Sequence, residues 1–258
     1  RKAKTYLGQP FLTDENIAKN IVHALSFDHY QKRLEVGPGM GVLTKYLLQN
    51  PLINLRAVEI DSESVVYLHQ HFPQLEVIEG DFLQMDLNKL YDGKFSVIGN
   101  FPYNISSQIL FKVLDYKDKI PNVAGMLQKE VAERIASKPG KKAYGILSVF
   151  MQAYYHVEYL FTVSEQVFDP PPKVKSAVIR FTRNEVEKLD CDEKLFRTVV
   201  KTAFNQRRKT LRNSLKPLVE KDNPMYADTL FDKRPEQLDV QSFVHLTNLV
   251  ENAQRNLQ

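Results

Sequence analysis

Cysteine is nearly absent from this chain of 258 residues, which contains only Cys191. A single cysteine cannot form an internal disulfide and favours a reducing compartment, so we expect the protein to be cytoplasmic. The six histidines form no H-x-x-x-H group and no cysteine cluster accompanies them, so we predict no metal site. The sequence contains no apolar run long enough to span a bilayer, and no internal repeat or low-complexity tract, so we expect no membrane association.

The sequence has little net charge, because the excess of basic over acidic residues is only +4, but the basic residues are unevenly placed. They concentrate at Arg1, Lys2 and Lys4, in residues 138–142 and in residues 206–212. One such cluster is as easily a solvated helix face as a binding surface. Three clusters together favour a polyanionic partner such as nucleic acid.

Short apolar strands alternate with helical patterns from about residue 17 to residue 182. The predicted strands are 33–36, 54–60, 75–79 and 95–99, and the predicted helices are 17–25, 42–48 and 62–71. We assign residues 145–159 and 176–181 to later strands, as an antiparallel hairpin at the sheet edge. This alternation predicts the α/β class, with a mostly parallel sheet and helices on both faces.

The composition changes after Phe181, because residues 182–192 are polar and without period. Apolar residues then return at helical spacing from Glu193 onward, and no strand pattern follows. We therefore predict two domains, residues 1–184 with the mostly parallel sheet and residues 185–258 as a small all-helical domain.

A glycine turn in Glu35-Val36-Gly37-Pro38-Gly39-Met40-Gly41 follows the first predicted strand and opens a helix. Glycines allow a sharp turn and close approach of a ligand to the backbone. The spacing is G-x-G-x-G, unlike the G-x-G-x-x-G of dinucleotide sites, and Pro38 removes one N–H from any anion cradle. The turn therefore indicates a ligand less anionic than a dinucleotide.

Carboxylates follow the next two strands. Glu59, in Val58-Glu59-Ile60-Asp61, is placed to accept hydrogen bonds from both hydroxyls of a ribose. Asp81, in Gly80-Asp81-Phe82, is placed to accept one from an adenine amino group. Either alone is as well explained as a helix cap or solvated strand end, but at successive strand ends they predict an adenosine site.

The fourth strand ends in Asn100-Phe101-Pro102-Tyr103. The N6 lone pair of adenine is delocalised into the ring, and two acceptors on its N–H bonds would favour the pyramidal geometry of a methyl-transfer transition state. The side-chain oxygen of Asn100 and the backbone carbonyl of Phe101 are the candidate acceptors. Pro102 stiffens the turn, and Tyr103 offers a face on which an extruded base can stack.

Together these motifs resemble the KsgA-type ribosomal RNA adenine dimethyltransferases over nearly the whole chain. The opening residues 4–12 resemble the family's N-terminal motif, although Pro10 stands where His is usual. Residues 168–178 resemble its late motif, and residues 203–212 resemble the helical-domain signature of its small-subunit branch. Phe101 stands where Leu is commoner, and we expect only its backbone to matter.

The resemblance implies a class I methyltransferase (Rossmann-like) fold and S-adenosylmethionine as cofactor. It implies transfer of four methyl groups to N6 of two adjacent adenines near the 3′ end of small-subunit (16S) ribosomal RNA, in an assembling 30S subunit. It also assigns Phe168 to the target base, beside Asn100, Phe101, Pro102 and Tyr103 as catalytic residues. The cofactor contacts it implies are Gln9, Phe11, Leu12, Glu35, Gly37, Gly39, Gly41, Glu59, Ile60, Asp81, Phe82 and Asn100.

The basic run contributes Arg207, Arg208, Lys209 and Arg212 as candidate phosphate contacts, which would orient the RNA and make binding salt-dependent. The alternative for this run is an internal salt-bridge face with Glu220 or Asp222. We expect a monomer, because no coiled-coil heptad or long apolar edge is evident.

Alternative functions share much of this pattern. A sister group methylates large-subunit ribosomal RNA and confers macrolide resistance, with the same chemistry. A DNA adenine methyltransferase uses a similar turn but usually carries a larger target-recognition domain. A non-enzymatic assembly factor on this scaffold would be indicated by loss of Glu59, Asp81 or Asn100, and all three are present.

Overall fold

The computed structural model describes residues 11–256, which form two compact units. The first unit comprises the described residues up to 132 together with residues 156–183. The second comprises residues 133–155 together with the described residues from 184 onward. Residues 133–155, which sequence analysis placed in the first domain, thus cluster with the C-terminal segment.

The described elements follow the chain in this order. The strands are β1 (Phe11–Leu12), β2 (Lys32–Val36), β3 (Asn54–Glu59), β4 (Glu76–Glu79), β5 (Ser96–Asn100), β6 (Asn122–Gln128), β7 (Tyr155–Val163), β8 (Phe168–Asp169) and β9 (Ser176–Arg183). The helices are α1 (Glu15–His23), α2 (Thr44–Leu47), α3 (Ser62–His71), α4 (Ser106–Asp115), α5 (Lys129–Ala136), α6 (Ile146–Tyr154), α7 (Glu193–Asn205), α8 (Leu211–Ser214) and α9 (Val240–Arg255).

The first unit is built on a sheet with strand order β4-β3-β2-β5-β6-β9-β7. The strands from β4 to β6 pair in parallel, and β9 pairs antiparallel with β6. Strands such as β6, buried along nearly their whole length, suit a parallel sheet covered on both faces. The predicted mostly parallel α/β sheet is confirmed.

The structure corrects the predicted edge hairpin. Residues 146–154 form the helix α6, and only the stretch from Tyr155 onward is a strand. In α6 nearly every side chain is buried, including Leu147, Val149 and Phe150. An apolar run buried on all sides has no period that separates a helix from a strand, which is why the sequence pattern misled.

The second unit is helical, and residues 184–256 contain only helices and turns, as predicted. The side chains of Asp192 and Asp239 cap α7 and α9 by accepting from backbone N–H groups at 2.8 and 2.7 Å. α6 packs against α7 and α9, with Phe150 beside Phe196 at 6.3 Å between ring centroids. No helix within residues 11–256 is both long and apolar enough to cross a membrane.

Candidate active site

The candidate site lies at the carboxyl edge of four adjacent parallel strands of the first unit. Glu59 ends β3 and Asn100 ends β5, while the glycine turn begins directly after β2 at Gly37. Asp81 follows β4 by two residues. Because these strands are neighbours in the order β4-β3-β2-β5, the predicted residues share one edge, where open α/β sheets bind ligands.

The glycine turn has the backbone conformation that its sequence predicts. Gly37, Gly39 and Gly41 have φ angles of 69°, 57° and 81°, a region that other residues rarely adopt. The Gly37 N–H donates to the carbonyl of Val58 at 2.9 Å, which fixes the start of the turn against β3. The Gly39 N–H donates to Glu59 Oε1 at 2.8 Å, so a hydrogen bond joins the turn directly to the residue predicted to bind ribose.

Glu59 is buried, and its second oxygen, Oε2, accepts from the Asp61 N–H at 3.0 Å. Burial raises the pKa of Glu59 above its ordinary value, against the opposing effect of these backbone donors. A carboxylate offers about four lone-pair sites, so these two bonds leave capacity for ribose hydroxyls. Ile60, beside it, is 38% exposed and offers an apolar surface to a ligand.

Glu35 lies behind the turn with 1% of its surface exposed. Its Oε1 accepts from Thr44 Oγ1 of α2 at 2.5 Å. Burial raises the pKa of Glu35 to about 8, with the nearby charge of Glu59 adding to the shift and the Thr44 hydroxyl opposing it. Glu35 therefore carries a proton at neutral pH and ties β2 to α2.

Asp81 accepts from the Leu83 N–H at 2.9 Å through Oδ1 and so caps a short 3-10 helix. Phe82, in that helix, is 4% exposed. Sequence reasoning missed Lys112 of α4, whose Nζ donates to the Met85 carbonyl and lies 5.7 Å from the Phe82 ring centroid. Lys112 thus fastens the segment that carries Asp81 and Phe82, and nothing in its helical spacing signals that role.

The turn after β5 holds an unpartnered buried acceptor. Asn100 Oδ1 is buried without any hydrogen-bond partner. The Phe101 N–H donates to the Met126 carbonyl of β6 at 3.2 Å, and the Phe101 ring is fully buried. The Tyr103 hydroxyl is hydrogen-bonded to Ser176 Oγ of β9, and burial raises the pKa of Tyr103. Hydrogen bonds therefore anchor the turn to β6 and to β9, whereas Asn100 Oδ1 accepts no hydrogen bond from the described residues of the protein.

The N-terminal motif and the late motif meet in the first unit through the β1–β8 pair. Leu12 lies opposite Phe168, and Phe11 lies opposite Asp169. Phe168 is 3% exposed and belongs to the same apolar cluster as Leu12. The predicted contact Gln9 lies outside the described residues.

Residues 206–210 of the basic run form the turn between α7 and α8, while Arg212 lies in α8. The four cations of the run divide into two pairs. Arg207 Nε lies 3.3 Å from Glu236 Oε2, and the Arg207 guanidinium also donates to the carbonyls of Lys142 and Tyr144. Arg212 lies 2.5 Å from Asp232 and donates to the Tyr226 carbonyl. The acids predicted for an internal salt-bridge face, Glu220 and Asp222, are not these partners. Arg208 and Lys209 are exposed.

Among residues 11–256, no group of three or more His, Cys, Asp or Glu side chains could hold a metal ion. The groups that the described site presents are carboxylates, an amide oxygen and backbone N–H and carbonyl groups. A loop of left-handed glycines, a carboxylate at the next strand end and an unpaired amide oxygen suit a nucleoside-bearing ligand and an amino-group substrate.

Comparison with known proteins extends these observations. A family described as ribosomal RNA adenine dimethylase matches residues 1–251. The ribosomal RNA small subunit methyltransferase A of Parabacteroides distasonis is 64% identical over 248 residues, covering 95% of this chain and 93% of that protein. The protein of the same name from Phocaeicola vulgatus is 60% identical over 258 residues, covering 99% and 92%.

A solved structure, a dimethyladenosine transferase from Plasmodium falciparum, superposes with a TM-score of 0.79. It is 24% identical and covers 95% of this chain and 98% of its own. At that identity the likeness concerns the fold alone.

Proposed function

Because the chain belongs to the ribosomal RNA adenine dimethylase family, we propose that it methylates N6 of two adjacent adenines near the 3′ end of small-subunit ribosomal RNA. It is an S-adenosylmethionine-dependent methyltransferase with the class I fold, and ribosomal RNA is its substrate. The product on each adenine is N6,N6-dimethyladenosine. The unpartnered Asn100 Oδ1 at the edge of the sheet is the observation that carries the chemical part of this proposal.

The residues of the site fit the cofactor. The left-handed glycines let a nucleoside approach the backbone, and the Glu59 carboxylate, held by the Gly39 N–H, has lone pairs for ribose hydroxyls. Asp81 has a second carboxylate oxygen beyond the one that caps its helix. The other residues that would line this site are Phe11, Leu12, Glu35, Gly37, Gly41, Ile60, Phe82 and Asn100, with Gln9 from the N-terminal motif. S-adenosylmethionine supplies a methyl group on a sulfonium centre that is open to nucleophilic attack.

The catalytic turn acts on the adenine amino group through hydrogen-bond acceptors. Asn100 Oδ1 and the Phe101 carbonyl accept from the two N6 protons, which localises the nitrogen lone pair for attack on the methyl carbon. Transfer would form the N6–carbon bond as the carbon–sulfur bond of the sulfonium breaks and a neutral thioether leaves. N6 would then be cationic and would lose one proton to solvent, so no dedicated base is needed. Pro102 limits the motion of the turn, and the Tyr103 ring, held by Ser176, stacks on the extruded base.

Phe168 completes the target pocket in this proposal. It pairs with Leu12 across the β1–β8 ribbon, so a residue of the late motif is held next to a residue of the N-terminal motif. Its near-complete burial requires a small rearrangement of that ribbon before the ring can contact a base.

The second unit supplies RNA contacts. Arg208 and Lys209 are exposed on the turn after α7 and would neutralise phosphates. Arg207 and Arg212 are paired with Glu236 and Asp232, so only the N–H groups that these ion pairs leave over would be available to phosphate. The partner we propose is the small-subunit RNA of an assembling 30S subunit, bound by a monomer in the cytoplasm.

Transfer of labelled methyl from S-adenosylmethionine to small subunits that lack the modification tests this function. The variant is Asn100→Ala, and the matched control is Asn88→Ala, an exposed asparagine of the same unit. We expect dimethyladenosine near the 3′ end with the native protein and the control, and a rate at least about 10²-fold lower with Asn100→Ala.

Other outcomes would replace the proposal. Transfer to protein-free large-subunit RNA, with none to small subunits, would indicate the macrolide-resistance activity. Tight binding to small subunits without transfer to either RNA would indicate an assembly factor. Equal rates for native protein and Asn100→Ala would refute the role of the unpartnered oxygen.

A further inference from the structure

Two glycines stand directly opposite each other beneath the catalytic turn. The parallel register of β5 and β6 pairs Gly99 with Gly125. Neither has a φ angle in the left-handed region, so backbone conformation does not require glycine at these positions. The reason for their small size must be the space that a side chain would occupy.

That space is filled by the Phe101 ring. A Cβ at Gly125 would lie 2.2 Å from Phe101 Cε2, 2.7 Å from Cδ2 and 3.0 Å from Cζ. A Cβ at Gly99 would lie 3.0 Å from the same ring but also 2.5 Å from the Val36 carbonyl oxygen. Gly125 is thus the position whose three nearest neighbours all belong to Phe101.

The ring cannot move aside without moving the turn. Phe101 is fully buried, and protein interiors are packed too closely to take up a displacement of about 1 Å. The Phe101 N–H is bonded to the Met126 carbonyl, next to Gly125 on β6. A side chain at Gly125 would therefore push on the residue that carries one adenine acceptor and adjoins Asn100.

We propose that Gly125 is a positioning residue for methyl transfer, because it makes the socket in which the Phe101 ring fixes both acceptors of the adenine amino group. The proposal rests on the proposed function of the turn. It makes the Phe101 side chain part of the mechanism, where the sequence suggested that only its backbone mattered.

Two measurements test the positioning role of Gly125: the rate of single-turnover methyl transfer and the Kd for S-adenosylmethionine. Both are made on Gly125→Ala and on the double variant Phe101→Leu/Gly125→Ala. We expect Gly125→Ala to transfer about 10²-fold more slowly, because misplacement of reacting groups by about 1 Å has that effect. Its Kd for the cofactor should rise by much less than the rate falls, because the glycine turn and Glu59 are untouched and only Asn100 contacts both the cofactor and the adenine. Leu lacks the Cε2 and Cζ atoms, so the double variant should recover at least about tenfold in rate.

Gly145→Ala is the matched control, because a Cβ there would have its nearest neighbour at 3.8 Å and the backbone φ is −156°. It should transfer at the native rate. A rate for Gly125→Ala within about threefold of native would overturn the proposal, as would a folded double variant no faster than Gly125→Ala.

If Gly125→Ala does not fold, as judged by circular dichroism, the double variant decides. A folded double variant within about tenfold of the native rate supports the socket, and one about 10²-fold slow overturns it. The same ratios can be measured on protein-free ribosomal RNA. Failure of the native protein on small subunits would then count against the proposed substrate and leave the socket to be judged separately.

Discussion

The buried carboxyl of Glu35 should make the stability of the first unit depend on pH. In the folded protein burial raises the pKa of Glu35 from 4.5 to about 8, while an unfolded chain has the ordinary value. Between these values the folded state keeps a proton that the unfolded state releases. The free energy of unfolding therefore falls as pH rises through this window, by up to about 1.4 kcal/mol per pH unit and about 5 kcal/mol in all.

Glu35→Gln removes the titration and keeps an amide oxygen that can accept from the Thr44 hydroxyl. We expect the variant to lose most of the decline between pH 4.5 and 8 and to be more stable than the native protein near pH 8. Urea unfolding at a series of pH values, without cofactor, measures this directly. Glu187→Gln, at an exposed glutamate, is the control. Parallel pH profiles for native protein and Glu35→Gln would refute the argument.

Three further predictions concern ligand contacts. Glu59→Gln should weaken cofactor binding by roughly 10²-fold in calorimetry. The amide lacks the negative charge and one acceptor oxygen, and a hydrogen bond to a charged group contributes about 1.5–3 kcal/mol. A change in Kd under threefold would contradict this. Ser176→Ala should slow transfer by a few-fold and leave the Kd of the cofactor unchanged, since it releases only the Tyr103 hydroxyl. Arg208→Ala should reduce the salt dependence of RNA binding by about one phosphate contact without lowering Tm, whereas Arg207→Ala should lower Tm; the reverse pattern would exchange their roles.

The carboxyl edge of the sheet was predictable because strand ends carry their chemistry in short local motifs. Glu59, Asp81 and Asn100 each follow an apolar run, and a parallel sheet brings such ends together by topology alone. The left-handed glycines were predictable for the same reason, since Gly37 and Gly39 are local features of a tight turn.

Features that depend on contacts distant in sequence were not predictable. Arg207 pairs with Glu236 and Arg212 with Asp232, whereas the alternative considered from the sequence was a salt-bridge face with Glu220 or Asp222. Gly125 belongs to no recognisable sequence motif. It lies against the Phe101 ring only because the register of β5 and β6 places it opposite Gly99. The helix α6 lacks a readable period because it is buried on nearly all sides.

The second unit is assembled from two separated stretches of chain, and this affects how it is made. Translation releases residues 133–155 before α7 and α9, the helices on which α6 packs. At roughly 5–20 residues per second, a nascent chain carries this apolar helix without its partners for several seconds. During that time it is a target for chaperones and a risk for aggregation. Neither unit can be excised as one continuous fragment, so a truncation after residue 183 would leave α6 exposed.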